Sequence, residues 1–154
     1  MPTDLDPTDR RILRVLQQDG KILNTELSER VGLSPSPVLR RVRLLEEQGV
    51  IERYVALLNP ASVSLAMTIF VRITLERQDQ ATVEAFANEV RDLPQVMEAH
   101  LMAGTYDYLL KVAVSDLEDY RRVHMDHFAK MPGVRNVVTE IPLQNIKQTT
   151  ELPI

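Results

Sequence analysis

The residues best suited to chemistry in this sequence are an arginine cluster and the serine- and proline-rich segment before it. Arginine guanidinium groups can hold guanine bidentately in the major groove, and serine hydroxyls or exposed amides at a helix N-terminus suit phosphate oxygens. This chemistry predicts contact with double-stranded DNA. The residues predicted to contact DNA are Asn24, Thr25, Ser34, Pro35, Ser36, Pro37, Arg40, Arg41 and Arg43.

Two points about this segment stay open: whether Arg43 pairs within its own helix, and where that helix begins. Arg43 has the spacing to pair with Glu46 or Glu47 along one helix, and such a pair would need no DNA. The start of the arginine-bearing helix is also open, because the residue before a proline disfavours helical geometry. The helix begins either at Pro35, capped by Ser34, or near Pro37, capped by Ser36.

Three predicted helices must position these side chains, over residues 7–18, 24–31 and 35–48. Gly32 suits the left-handed end of the second helix. Val38, Val42 and Leu45 form the buried stripe of the third helix, which leaves the arginines nearer the surface. This arrangement is typical of a DNA-reading helix-turn-helix.

The predicted boundary between two domains lies at residue 60. Residues 50–58 are a β-prone run that could form a wing, and Asn59-Pro60 breaks the run and marks a hinge. Residues 1–60 are therefore expected to form a winged helix-turn-helix domain with its wing and hinge, and residues 61–154 a second domain.

The second domain has the pattern β-α-β-β-α-β, which predicts a ferredoxin-like sandwich and an α+β fold for the whole chain. Strands are predicted over residues 67–75, 96–102, 108–114 and 134–141, with a possible fifth over 146–152. Both helices would pack on one sheet face. The other face should carry Phe70, Leu109 and Val138, and a half-apolar face of this kind predicts a homodimer.

Charge and composition further restrict the class of protein and the partners it can have. The net charge of −4 argues against nonspecific coating of nucleic acid. The acidic excess lies entirely in residues 61–154, so DNA contact is expected from the first domain. The chain has no cysteine and no apolar run long enough for a membrane span, which predicts a soluble cytoplasmic protein without disulfides or a membrane partner.

Catalytic and metal chemistry find little support. His124 and His127 are three residues apart, but no third ligand converges with them, so no metal site is predicted. There is no phosphate-binding glycine loop and no nucleophile motif. We therefore expect no enzyme and no cofactor.

Three segments together resemble the Lrp/AsnC family of feast/famine regulators. They are Gly32–Pro37, Ala56–Pro60 and Gly104–Lys111, which read GLSPSP, ALLNP and GTYDYLLK. The resemblance runs from about Leu5 to the C-terminal tail. It implies a C-terminal αβ-sandwich that binds an effector, dimerises and often assembles into octamers or other even oligomers. It also implies that a small molecule, usually an amino acid, is bound between these domains.

The loop Ala103–Asp107 is the centre of the implied effector site. Gly104 would let the main chain approach a ligand, loop N–H groups would hold a carboxylate, and Asp107 or a carbonyl would receive an ammonium. The alternative is a tight hairpin in which Asp107 caps its own backbone. The positions predicted to contact the effector are Leu101, Ala103, Gly104, Thr105, Tyr106, Asp107, Leu117, Glu140, Ile141 and Pro142.

Two departures from the family pattern limit what the resemblance implies about the effector. Thr105 stands where a relative has an acid, and Ile141-Pro142 replaces a β-branched or apolar pair. Leucine is therefore not assumed. The expected function is a sequence-specific transcriptional regulator that responds to an amino acid. One alternative is a ligand-independent architectural, nucleoid-type DNA-binding protein. The other is a metabolic sensor whose C-terminal domain modulates an enzyme partner while its helix-turn-helix only mediates contacts.

Overall fold

The computed structural model describes residues 4–154, which form two compact units. The first unit contains the described residues up to Leu57 together with Lys147–Ile154, and the second contains Leu58–Ile146. Residues 1–3 of the predicted first domain lie outside the described part. The C-terminal tail, which the sequence analysis placed in the second domain, belongs to the first unit.

The first unit is a three-helix bundle. Its helices are α1 (Pro7–Gln18), α2 (Asn24–Val31) and α3 (Pro35–Glu47), close to the predicted spans. The side chain of Asp6 accepts hydrogen bonds from the N–H groups of Thr8 and Asp9, which caps α1. Gly32 ends α2 with φ of 71°, a left-handed conformation that glycine adopts without strain.

Seven buried aliphatic side chains form the core of this unit. Each is no more than 7% exposed, and together they are Ile12, Leu13, Leu27, Val31, Val38, Val42 and Leu45. The predicted stripe of α3 therefore faces the core.

Residues 50–58 and 146–152 were expected to be β-prone, and the expectation of a strand is wrong for both, whereas a wing formed by residues 50–58 stays a prediction. Neither segment contains a strand. Val55, Leu57 and Leu58 are largely exposed. A β-prone segment needs a hydrogen-bonding neighbour to form a strand, and residues 4–154 provide none for this segment. In the tail, the main chain of Leu152 is hydrogen-bonded instead by the side chain of Gln17.

The second unit is a four-stranded antiparallel sheet with helices on one face, which confirms the α+β class. The strands are β1 (Met67–Leu75), β2 (Val96–Leu101), β3 (Tyr108–Val114) and β4 (Val134–Glu140), in the order β2-β3-β1-β4. The helices are α4 (Gln80–Arg91) and α5 (Leu117–Val123), and α5 continues into a π-helical turn at His124–Phe128.

Alternation along β1 separates the two faces of this sheet. Ile69, Val71 and Ile73 are fully buried beneath the helices, while the residues between them are only partly buried. Arg72 lies opposite Leu109 on β3 and Val138 on β4, so these residues share the face that the helices leave open. The position of the half-apolar face is therefore as predicted.

Candidate DNA-binding surface and effector loop

The arginine-bearing helix α3 begins at Pro35. Ser34 occupies the N-cap position with an extended backbone, and its side chain makes no capping hydrogen bond. The alternative start near Pro37 is wrong. Both prolines fit in the first turn, because the first four N–H groups of a helix have no partner within it. The same prolines leave only Ser36 and Val38 with N–H groups among the first four helical residues.

The outward face of α3 forms an open groove of about 260 Å³. Its lining residues are Ser36, Leu39, Arg40, Arg43, Leu44 and Glu47. Leu39 and Leu44 were not among the predicted DNA contacts. The signal was available, because both leucines lie off the buried stripe of α3 and therefore point away from the core.

Arg40 and Arg43 differ from Arg41 in their partners. Within residues 4–154, neither Arg40 nor Arg43 forms an ion pair, so the alternative pairing of Arg43 with Glu46 or Glu47 is not present. The guanidinium of Arg41 instead lies 2.7 Å from a carboxylate oxygen of Asp6 and 2.7 Å from one of Asp9. These hydrogen bonds, first that of Asp9, raise the pKa of Arg41.

The partners of Arg41 lie on another helix of the same unit. Asp6 and Asp9 belong to the start of α1, so Arg41 joins α3 to α1 within the unit. The N–H of Asp9 is the main cause of a lowered pKa at Asp6, and the hydrogen bond from Arg41 contributes as well. Arg41 therefore has a structural contact within the unit, and its predicted contact with DNA stays a prediction.

The other predicted DNA contacts are exposed. Asn24 and Thr25 form the first turn of α2, whose N-cap, Leu23, supplies no side-chain hydrogen bond. Ser34 and Ser36 lie exposed at the start of α3. Two helix N-termini with partial positive charge and hydroxyl donors therefore accompany the unpaired arginines.

The buried side chain of Asp107 anchors the loop Ala103–Asp107 to the end of β1 and to Gln78. Its side chain is 6% exposed, and one carboxylate oxygen accepts from the N–H of Leu75 at 2.6 Å. The other accepts from Nε2 of Gln78 at 2.6 Å. Both oxygens are thus engaged by groups outside the loop, so Asp107 neither caps its own loop nor presents a free carboxylate to a ligand.

The upper part of the loop presents unbonded main-chain groups. Ala103, Gly104 and Thr105 are exposed, and none of their N–H groups donates a hydrogen bond to another described residue. A Cβ atom built on Gly104 would have no described atom within 4 Å. The loop is therefore held at Asp107 and open above it, an arrangement that can receive an anion such as a carboxylate.

Arg72 connects two of the predicted effector positions. Its guanidinium lies 5.3 Å from the ring centre of Tyr106, and Nη2 is 2.7 Å from Oε1 of Glu140. Its Nε is buried and has no hydrogen-bond partner among the described residues. Arg72 was missed as a site residue, because its contacts with a loop and with β4 are distant in the sequence.

The remaining predicted effector positions are exposed apolar or proline residues. Leu101 ends β2 opposite Tyr108, and Leu117 begins α5. Ile141 and Pro142 follow β4 directly. The structure thus places Leu101 next to the loop and Ile141-Pro142 next to Glu140.

Neither a metal centre nor a membrane span is found in the described part of the chain. Residues 4–154 contain no group of three metal-ligating side chains. No helix among them is long and apolar enough to cross a membrane.

A helix-turn-helix unit with unpaired arginines, combined with a separate α/β unit, is the architecture of a DNA-binding regulator with a second functional domain. Residues 68–152 match the Lrp/AsnC ligand-binding domain, and residues 5–52 match a winged helix-turn-helix DNA-binding domain. The chain belongs to the Lrp/AsnC family of transcriptional regulators. This membership confirms the prediction of a regulator that is not an enzyme.

The similarity to known proteins extends over nearly the whole chain. The leucine-responsive regulatory proteins of Klebsiella pneumoniae and of Escherichia coli K12 are 46% identical over 98% of this chain and 92% of theirs. A Neisseria meningitidis transcriptional regulator solved with L-methionine is 42% identical, covers 97% of this chain and 96% of its own, and has a TM-score of 0.92. An AsnC family regulator from Agrobacterium tumefaciens is 40% identical, with 97% of each chain covered and the same TM-score.

Proposed function

We propose that this chain regulates transcription by binding specific DNA sequences through α3, under the control of a free amino acid bound at the loop Ala103–Asp107. The observation that carries the effector half of this proposal is the row of unbonded N–H groups from Ala103 to Thr105 above the buried Asp107. An amino acid supplies the matching carboxylate.

On α3, Arg40 and Arg43 are the proposed readers of guanine, since their guanidinium groups have no partner within the described residues. Leu39 lies in the same groove and suits apolar contact with a thymine methyl group. Ser34, Ser36, Asn24 and Thr25 are proposed to contact phosphates, which fix the register of the helix on the duplex.

The amino group of the effector needs an acceptor other than Asp107. Glu140 is the proposed candidate, because Arg72 connects it to Tyr106 of the loop and its side chain is 49% exposed. The binding of L-methionine by the Neisseria relative supports the amino-acid class of ligand. The side-chain preference is left to experiment, because Thr105 and Ile141-Pro142 depart from the family pattern.

We further propose that the open face of the sheet forms a homodimer. Phe70, Leu109 and Val138 lie on this face, and Glu98–Lys111 and Arg72–Glu140 ion pairs lie among them. Covering a half-apolar face with a second copy removes it from water. Dimers would then assemble into an octamer or another even oligomer.

Thermal unfolding of the full chain with each of the twenty amino acids at millimolar concentration tests the effector. A ligand at 100 times its Kd adds about 2.7 kcal/mol of stability, which raises Tm by roughly 5–10 °C for a chain of this size. We expect a selective rise with one amino acid or a few of similar side chain. A flat response to all twenty contradicts the proposal and favours the ligand-independent architectural alternative.

The variant Gly104→Ala tests whether the amino acid binds at the loop Ala103–Asp107. Gly104 has no positive φ, and its added methyl group would meet no described atom, so unfolding without ligand should be unchanged. The methyl group would occupy the space above the loop, and we expect the ligand-induced rise in Tm to shrink. An unchanged rise would place the amino acid elsewhere.

A further inference from the structure

The last eight residues of the chain belong structurally to the DNA-binding unit. Lys147–Ile154 clusters with the helices, and the side chain of Ile154 packs against their buried core. The chain therefore passes between the two units twice, once at Leu57-Leu58 and again at Ile146-Lys147.

Main-chain hydrogen bonds attach this tail to α1. The side-chain amide of Gln17 accepts from the N–H of Leu152 at 2.6 Å and donates to its carbonyl oxygen at 3.2 Å. Nε of Arg14 donates to the main-chain oxygen of Ile154 at 2.6 Å. The Leu152 side chain is 69% exposed, so this residue is attached through its backbone, and Ile154 adds its apolar contact with the core.

The segment that carries the tail starts at the proposed effector site. Strand β4 ends at Glu140, the partner of Arg72, and Ile141 and Pro142 follow. Residues 141–154 contain no helix or strand. One continuous segment thus leads from the effector positions to α1.

Helix α1 in turn holds α3. Arg14 and Gln17 bind the tail near the C-terminal end of α1, whereas Asp6 and Asp9 bind Arg41 of α3 at its N-terminal end. A displacement of α1 would therefore be transmitted to the helix that carries Arg40 and Arg43.

We propose that residues 141–154 couple effector binding to DNA binding. An effector bound against Glu140–Pro142 redirects the segment, which displaces α1 through the attachment of Leu152 and Ile154 and so repositions α3. This inference rests on the proposed amino-acid effector and specifies how that site acts. By linkage, DNA would change the affinity for the amino acid by the same factor.

Substitutions at Leu152 distinguish the contribution of its backbone N–H from that of its side chain. Leu152→Pro removes the N–H that donates to Gln17, whereas Leu152→Ala keeps it and shortens only an exposed side chain. Gln17→Ala removes the same bond from the other side. Cooperative unfolding of each full-length variant would establish that it is folded, and hydrogen exchange would report the release of the tail from α1.

The test is the affinity of each full-length variant for a selected DNA duplex, with and without L-methionine, L-leucine and the other amino acids. In the wild type we expect a change of roughly 5- to 150-fold with the effector. Leu152→Ala should respond in the same way. Leu152→Pro and Gln17→Ala should bind DNA near the wild-type affinity and lose most of the response.

The outcomes distinguish a failure of the coupling through residues 141–154 from a failure of the proposed amino-acid effector. An undiminished response in Leu152→Pro or Gln17→Ala, with the tail released by hydrogen exchange, overturns the coupling while the proposed effector stands. A wild type that binds DNA but responds to none of the twenty amino acids overturns the proposed effector, and the coupling with it.

Discussion

At the residue scale, the neighbouring arginines Arg40 and Arg41 on α3 point to different surroundings. Consecutive helical residues are about 100° apart around the axis, so Arg41 turns toward α1 while Arg40 stays on the outward face. The 2.7 Å contacts of Arg41 with Asp6 and Asp9 stabilise the unit. The groove around Arg40 stays open, and it is the surface proposed to contact DNA.

Arg40→Ala should weaken binding to a selected duplex by about 1–3 kcal/mol and relax the preference at one base pair. Arg91→Ala, which removes the same charge from α4, serves as the control and should leave the sequence preference unchanged. Arg41→Ala should instead lower the free energy of unfolding by roughly 0.5–1 kcal/mol and keep the preference. Titrations of each variant against a randomised duplex set would test this, and unaltered affinity and preference in Arg40→Ala would exclude it as a reader.

The charge of Asp6 should make folding stability depend on pH. Its pKa is lowered in the folded chain, first by the N–H of Asp9, so ionised Asp6 stabilises the fold above its unfolded pKa of about 3.9. That contribution is lost as the pH falls through the lower, folded pKa. Asp6→Asn keeps a capping side chain but removes the charge.

We therefore expect the Asp6→Asn variant to have a lower Tm than the wild type at neutral pH. The difference should close as the pH falls below about 4. Calorimetry across this range measures it, and a constant difference would show that the charge of Asp6 is not responsible.

At the scale of elements, local signals explain the predictions that succeeded. Helix α1 has its cap at Asp6, α2 has Gly32 at its end, and the alternation in β1 is complete within nine residues. The strands expected over residues 50–58 and 146–152 are absent because strand formation depends on a partner that no local pattern reveals. Likewise, Arg41 and Arg72 bind carboxylates far away in the sequence, so their partners required the fold.

The turn before β4 provides a prediction at this scale. Gly133 has φ of +80°, and a Cβ atom there would lie 2.8 Å from Cγ2 of Thr82 on α4. Gly133→Ala should therefore lower the free energy of unfolding by roughly 1–3 kcal/mol. Urea unfolding checks this beside Gly104→Ala, which should leave stability unchanged, and equal stabilities of the two variants would contradict the account of Gly133.

At the scale of the whole molecule, the open sheet face is expected to determine the assembly. Phe70 lies on it between Lys111 and Glu140 in the strand register. Phe70→Glu would bury a further charge in the proposed interface and should dissociate the dimer. Sedimentation at low micromolar concentration should give a 17.6 kDa monomer for this variant and a larger species for the wild type. A monomeric wild type would contradict the proposed dimer.

Effector-controlled, sequence-specific DNA binding is the central claim for the molecule. Its most direct test is the Kd for a selected duplex and for a scrambled duplex at one physiological salt concentration, each with and without the amino acid that raises Tm. We expect a specificity ratio of about 10³ or more and a change of at least about fivefold on adding the amino acid. Equal affinity for both duplexes, unaffected by any amino acid, would contradict the account and identify an architectural DNA-binding protein.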